Sequence, residues 1–488
     1  MQPVNKSPLA KIGVYFIGVV SVSAINFLLI PFYTRQLSMN ELGIYSLLET
    51  IQQFSVVVVG LGLSHAQLRW FSEKNLTPEK ILSSTVIFQM LISSIFVGSF
   101  FFWYGSFSKF ILDSHPKSFP IIFLLTLIVA MDAVNDVFLS YFRANQQPFK
   151  YNVQLLIKAL LGATVSIILV SYFRLGVLGA FIGIFSGVFS SFLFAATVSR
   201  KLIAPQFDPT LVKKLLFFGL PICVGVFFSQ IGVVYERSVV SKQLGLTDLA
   251  QYAVVSKLNG VLTAFIIGPV QLALLPMAFS KIGQDSLKFF LQRSFNLYVL
   301  GLLIFSGLLI TFKPEIFAVI CGNKIADFKT GIRVFEFTTF AIFIDALAFF
   351  GYLNLRISQK SKFELYGSMI NFFFTVLFLY LLLKNYQLWG VVAAKISATF
   401  ISTFFLHRVS YQSVPIHYNL LSAMVLFVFQ SAGISLIHYF VENRIWGLLI
   451  QLTWLFSFAY FIVKFYKLND TLAVYYNTLL DSAKKMIT

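Results

Sequence analysis

The chain has 488 residues, 58% hydrophobic and only 11% charged, with a formal net charge of +18. Soluble domains carry roughly 25% charged residues, so this composition excludes a soluble enzyme. No Lys/Arg run is long enough for a nucleic-acid arm, which excludes a nucleic-acid partner and leaves a membrane protein with basic loops.

In chain order, a polar start (Met1 to Lys11) runs into a long apolar stretch without a small-residue cleavage site, so a retained first helix is expected. About fourteen spanning helices are expected, near residues 12–33, 43–65, 81–104, 119–142, 153–173, 177–199, 215–238, 248–277, 291–312, 332–353, 364–383, 386–407, 416–438 and 443–465. The fold class is therefore all-α and polytopic. The two cysteines, Cys223 and Cys321, have no metal spacing, and neither metal nor cofactor is expected. The 58 phenylalanines read as packing and lipid-facing residues.

Arg35–Glu49 occurs again as Lys242–Ser256: Gln36, Leu37, Leu42 and Tyr45 recur as Gln243, Leu244, Leu249 and Tyr252. Arg143-Ala-Asn-Gln146 resembles Arg356-Ile-Ser-Gln359, and Leu178-Gly-Ala180 resembles Trp389-Gly-Val391. These anchors keep their order, which points to a unit of about 210 residues used twice. The expected organisation is a six-helix bundle at 1–200, a cytoplasmic linker at 201–214, a second six-helix bundle at 215–412, and a helix pair with a cytoplasmic tail at 413–488. Six is even, so the two bundles are parallel repeats, and the wedge between them is the natural substrate path.

With the N-terminus inside, the inner segments hold 22 of the 37 Lys and Arg and the outer loops 12, with Lys158, Lys257 and Lys395 inside spans. This favours both termini in the cytoplasm. The outer loop around Lys313, Lys324, Lys329 and Arg333 runs against the trend. In the linker, Pro205 and Pro209 argue against a spanning helix; its basic residues suit an anionic membrane surface or a solvated connection.

Ionisable residues within spans are expensive and usually face an interior or a wet cavity. Here they are Glu49, Asp132, Asp136, Lys158, Glu236, Arg237, Lys257, Glu336, Asp345 and Lys395. Asp132 and Asp136 share a helical face that Ser140 and Arg143 continue. They suit either cation or proton binding or an interhelical hydrogen-bond network. Counting from the loop near Gln147 places Asp136 and Lys158 at equal depth, so a pair between them is expected. Pro269 and Pro276 mark a bend in the eighth span.

Three segments carry a family resemblance: Ile30–Ser46, Tyr141–Tyr151, and Phe218-Gly-Leu-Pro-Ile222 followed by Glu236-Arg237. With the repeat, they resemble the polysaccharide and O-antigen flippases, the lipid-linked oligosaccharide exporters of the multidrug/oligosaccharide/polysaccharide exporter superfamily. The family commonly has Asp-Arg where this chain has Glu236-Arg237. The resemblance implies alternating access around a cationic cavity. It implies an undecaprenyl-diphosphate-linked glycan moved from the inner to the outer leaflet of a bacterial inner membrane, beside lipids and the polymerase and glycosyltransferases of the same pathway. Cations for the diphosphate would come from Arg237, Lys257, Lys158, Arg35, Arg69 and Lys395, with the Arg fork suited to bidentate contact. Ion coupling or gating would fall to Asp132, Asp136, Glu49, Glu236 and Asp345. The alternatives are a cation-coupled multidrug antiporter, which needs a carboxylate cavity, and a membrane glycan polymerase or glycosyltransferase. No loop here carries the His/Asp/Glu cluster such an enzyme needs, so no enzymatic activity is expected.

Overall fold

The computed structural model describes residues 8–71, 77–111, 118–200, 202, 207–279, 281–284, 286–360, 362–466 and 468. Its seventeen α-helices are α1 (Pro8–Gln36), α2 (Met39–Gly60), α3 (Leu63–Trp70), α4 (Pro78–Gly98), α5 (Phe100–Ile111), α6 (Ser118–Ala144), α7 (Pro148–Ser171), α8 (Gly176–Ser199), α9 (Pro209–Gln243), α10 (Leu246–Leu262), α11 (Gly268–Phe279), α12 (Ser286–Thr311), α13 (Lys313–Cys321), α14 (Lys329–Ile357), α15 (Lys362–Ser413), α16 (Leu420–Phe440) and α17 (Arg444–Phe465). Twelve helical stretches among the described residues are long and apolar enough to cross a membrane. The protein is an all-α membrane protein. The expected cytoplasmic tail, the first seven residues and most of the linker at 201–206 lie outside the described residues.

Local chemistry sets the helix ends. Ser38 and Glu41 form a reciprocal capping box at the start of α2. Asp208 caps α9 through the N–H groups of Thr210 and Leu211, and Pro209 takes the first helical position, where its missing N–H costs nothing. The linker therefore ends earlier than expected, because Pro209 starts a helix rather than preventing one. The two similar turns Arg143–Gln146 and Arg356–Gln359 have the same geometry. Gln146 and Gln359 are left-handed (φ 52° and 57°), and the next N–H reaches back to Phe142 O or Leu355 O at 2.8 Å in each. The 52-residue α15 is interrupted at Gln387, whose φ of 50° and ψ of −131° are not helical. A π-helical turn at Thr263–Ile267 stands just before Pro269. It loosens the backbone where the proline ring would press on the carbonyl four residues back.

The chain forms two compact units. The first holds residues 1–258, 320–331 and 372–391. In it α7 packs on α8 and α1, α6 on α4 and α8, and α2 and α3 on α6 and α9. Lipid tails are as apolar as the helices, so polar side chains bind the helices together. Asn135 Nδ2 donates to Val188 O (3.0 Å), Gln89 Nε2 to Val59 O (3.1 Å) and Ser93 Oγ to Ala130 O (2.8 Å).

The second unit holds residues 259–319, 332–371 and 392–488. Phe295, Phe350 and Tyr418 form an aromatic centre with centroids 4.9–5.4 Å apart. The pair α16–α17 packs on α12, where Gln430 Nε2 donates to Leu303 O (2.8 Å). Arg444 at the head of α17 grips Glu315 with both Nε and Nη2 at 2.6 Å.

Two of the basic residues in the loop around Lys313–Arg333 have fold partners. Lys313 pairs with Glu336 at 2.6 Å in the second unit. Lys324 in the first donates to Leu37 O (2.6 Å) and Thr34 O (3.4 Å), capping the carbonyl end of α1. These two lysines stabilise the fold, so their number does not report which side of the membrane they face.

Candidate functional site: a polar face on α2

The turns of α2 from Tyr45 to Thr50 gather partners from three helices. Arg237 on α9 donates through Nη1 to Ser46 O (3.0 Å), to Ser46 Oγ (2.8 Å) and to Thr50 Oγ1. Lys257 on α10 pairs with Glu49 Oε2 at 2.7 Å and lies over the Tyr45 ring, 4.7 Å from its centroid. Tyr33 on α1 stacks against Tyr45 at 4.7 Å and hydrogen-bonds Ser166 Oγ at 2.6 Å. A small cavity opens between these groups, lined by Tyr33, Thr34, Tyr45, Ser46 and Lys257 with apolar neighbours.

Three of the expected residues, Glu49, Arg237 and Lys257, therefore come together on one face. Their electrostatics differ. Lys257 and Glu49 are each about a quarter exposed (26% and 24%) and neutralise one another. The bonds of Arg237 go to neutral oxygens, and no carboxylate among the described residues lies within ion-pair distance of it. Its Nε is buried without a hydrogen-bond partner. A charge-assisted bond contributes about 1.5–3 kcal/mol, so α2 holds this cation firmly yet leaves its charge available to an anion.

Glu236, the residue before Arg237, accepts from Tyr252 Oη at 2.7 Å. One expectation needs correction. Lys158 pairs with Asp132, at 2.6 Å, not with Asp136. Depth counting resolves about one turn, 5.4 Å, and the Lys stem spans that distance, so the count cannot choose between carboxylates one turn apart. Asp132 and Asn135 are buried on α6, and Gln154, one turn before Lys158 on α7, donates to Asn135 Oδ1 at 3.3 Å.

The remaining expected residues lie elsewhere. Asp136 faces a separate cavity beside the end of α2. Arg35 is exposed in the last turn of α1, close to Gly322, and Arg69 is exposed on α3. In the second unit the charge of Lys395 acts on Asp345. Sequence reasoning missed Tyr33, Ser46, Thr50 and the roles of the two repeated tyrosines. The signal was present: Tyr45 and Tyr252 occupy matching positions, and each donates to a glutamate, Tyr45 to Glu49 (3.5 Å) and Tyr252 to Glu236.

Residues 9–282 match the family model described as polysaccharide biosynthesis protein. An uncharacterised membrane protein of Haemophilus influenzae is 22% identical over 287 residues, which cover 57% of this chain and 66% of that protein. The chain thus spans just under two thirds of that relative's length. Among solved structures, the lipid II flippase MurJ in an inward closed conformation superposes with a TM-score of 0.74 at 17% identity, covering 93% of this chain and 98% of that one. A multidrug resistance MATE family transporter of the MOP superfamily, inward-facing, gives 0.68 at 12% identity, over 84% of this chain and 98% of that one. An outward-facing MATE structure gives 0.64 at 12% identity, over 85% and 95%.

Proposed function

The chain belongs to the polysaccharide biosynthesis protein family, and from that premise we propose that it is a flippase for a lipid-linked oligosaccharide. It has the MurJ- and MATE-like fold of MOP-superfamily transporters. In our reading the substrate is an undecaprenyl-diphosphate-linked glycan, carried from the inner to the outer leaflet of a bacterial inner membrane. The termini are cytoplasmic. Counting α1 and dividing α15 at Gln387 brings the spans to fourteen, two parallel sets of six and a final pair, and the sets rock against each other. Pathway partners are a polymerase and glycosyltransferases.

One observation carries this reading: Arg237 and Lys257 both reach α2, Lys257 through Glu49 and Arg237 through the neutral oxygens of Ser46 and Thr50. A guanidinium with exchangeable hydroxyl partners suits a diphosphate. Arg237 can trade Ser46 and Thr50 for phosphate oxygens, and its planar fork favours bidentate contact. The membrane potential helps the direction, favouring outward movement of an anion by about 2.3 kcal/mol per charge per 100 mV.

The drug-antiporter reading needs a carboxylate free for a cation; Lys158 neutralises Asp132, which leaves Asp136 as the one member of that acidic pair that could serve it. The reading as a flippase is tested by replacing Arg237 with Lys and with Ala. Export of lipid-linked glycan is expected to fall in that order at normal membrane expression, since Lys keeps the charge and loses the fork. Normal export by the Glu236→Gln/Arg237→Gln variant would remove Arg237 from the path.

A further inference from the structure

The second span is broken. Helix α2 stops at Gly60, Leu61 and Gly62 take left-handed conformations (φ 50° and 70°), and α3 begins at Leu63. The break is held on two sides. Gly62 lies against Gly219 of α9, so closely that a Cβ on Gly62 would stand 2.2 Å from the Gly219 carbonyl oxygen. Ser140 on α6 donates to Gln67 Oε1 on α3. Broken spanning helices are tolerated only where the irregular backbone is enclosed by protein or lines a wet cavity.

This break lines a cavity of about 80 Å³. Most of its wall is apolar, from Val56, Val57, Ala133, Val137 and Val226. Three polar side chains enter it: Ser64 and His65 from α3, and Asp136 from α6. None of the three has a hydrogen-bond or ion-pair partner among the described residues, and Asp136 is exposed to the cavity although its neighbours on α6 are buried. An ionised carboxylate in a span without a protein partner is costly, so the cavity must supply what the protein does not.

The surroundings select the ligand. A hard cation asks for about six oxygens, and the side chains here offer one carboxylate and one hydroxyl. The positive charges of Lys158 and Arg143 also act on Asp136. No group of three or more His, Cys, Asp or Glu among the described residues is arranged to hold a metal. A proton needs less: an acceptor, a second titratable group and a water. Imidazole is the side chain that changes charge near neutral pH. We propose that Asp136 and His65 form a proton-exchange site at the break between α2 and α3. The proton passes from cavity water to an imidazole nitrogen, the imidazolium is stabilised by the Asp136 carboxylate, and the proton returns to water when the pair separates.

The neighbouring charges are accounted for. On α6 they are Asp132, which Lys158 of α7 neutralises, and Arg143, whose charge reaches both His65 and Asp136. On α3 there is Arg69, which is exposed, and on α9 Cys223, whose Sγ donates to Val57 O at 3.3 Å. The carbonyl end of α2 favours a cation at His65, while Arg143 and the amide end of α3 oppose it; Asp136 is the carboxylate that shares the cavity with the ring. The same helix that ends at this site holds Arg237 and Lys257 near its middle, through Ser46, Glu49 and Thr50. The site stands whatever the transported molecule is.

The test is a pH titration of the full-length protein in nanodiscs, reading ring-labelled histidine by NMR. The chain has five histidines, and His65→Gln identifies the signal. The His65 signal is expected to titrate between about pH 5 and 8. Its midpoint is expected to fall by about one pH unit in Asp136→Asn and Asp136→Ser, the usual lower range for losing a nearby opposite charge, and to be kept in Asp136→Glu. Replacing sodium by choline is expected to leave it unmoved. A His65 signal that does not titrate in the unaltered protein overturns the assignment whatever the variants do. So does a midpoint indifferent to Asp136, or a sodium-dependent shift that Asp136→Asn abolishes, which makes the cavity a sodium site.

Discussion

Thr247 Oγ1 donates to Asn40 Oδ1 at 3.3 Å, and the two residues stand 207 positions apart, the spacing at which the sequence repeats itself. The approach is close: a Cβ on Gly43 would lie 2.3 Å from Leu246 O. Six residues after Gly43, Glu49 reaches Lys257 of α10. The polar face of α2 is thus assembled with α9 and α10, the helices on which the second copy of the repeated sequence segment falls.

If this corner contact opens during transport, locking it should stop the cycle. With Cys223 and Cys321 replaced, an Asn40→Cys/Thr247→Cys protein is expected to crosslink on oxidation, lose transport, and recover with reductant. A crosslinked protein that transports normally would show that the corner stays closed throughout.

The Asp132–Lys158 pair sets a second test. Lys158→Met leaves Asp132 uncompensated in a span, and removing one partner of a buried pair costs about 3–5 kcal/mol. Melting in detergent is expected to fall sharply in Lys158→Met and to recover in Asp132→Asn/Lys158→Met. Recovery in Asp136→Asn/Lys158→Met instead would restore the pairing at equal depth.

Asp208 supplies a pH dependence outside the spans. Lys80 at 2.7 Å, then the Thr210 hydroxyl and the Leu211 N–H, hold its carboxyl well below the usual carboxylate range. A depressed folded value contributes stability that is present above the unfolded value, about 3.9, and lost as pH falls through the folded one. Asp208→Asn is expected to lower the melting temperature at pH 7, with the difference shrinking as the pH is taken below about 5. A difference constant with pH would mean that Asp208 acts by shape alone.

Much of the architecture was legible because it rests on local rules. Apolar length gave the spans, and the turns at Gln146 and Gln359 repeat in sequence because both helices must end in a left-handed residue. Phe218-Gly-Leu-Pro-Ile222 was legible as a motif, and Gly219 supplies a reason: it lies backbone to backbone against Gly62. The partners of charged groups were not legible. Which face of α9 carries Arg237 towards Ser46 depends on the rotation of one helix against another, which packing decides. The choice of Asp132 over Asp136 turns on less than the length of a lysine side chain. His65, one of five histidines in the chain, carries no mark in the sequence; the break at Leu61–Gly62 places it on the same cavity as Asp136.

The most direct measurement is translocation in proteoliposomes of a fluorescent undecaprenyl-diphosphate oligosaccharide, read by its accessibility to an external glycosidase. The purified protein is expected to expose the inner-leaflet pool. Arg237→Ala/Lys257→Ala, which removes charge-assisted contacts of about 1.5–3 kcal/mol each, is expected to slow exposure at least tenfold. A wild-type protein that leaves the lipid-linked glycan in place while moving an organic cation, or a double variant that flips at the wild-type rate, would contradict the cationic path along α2.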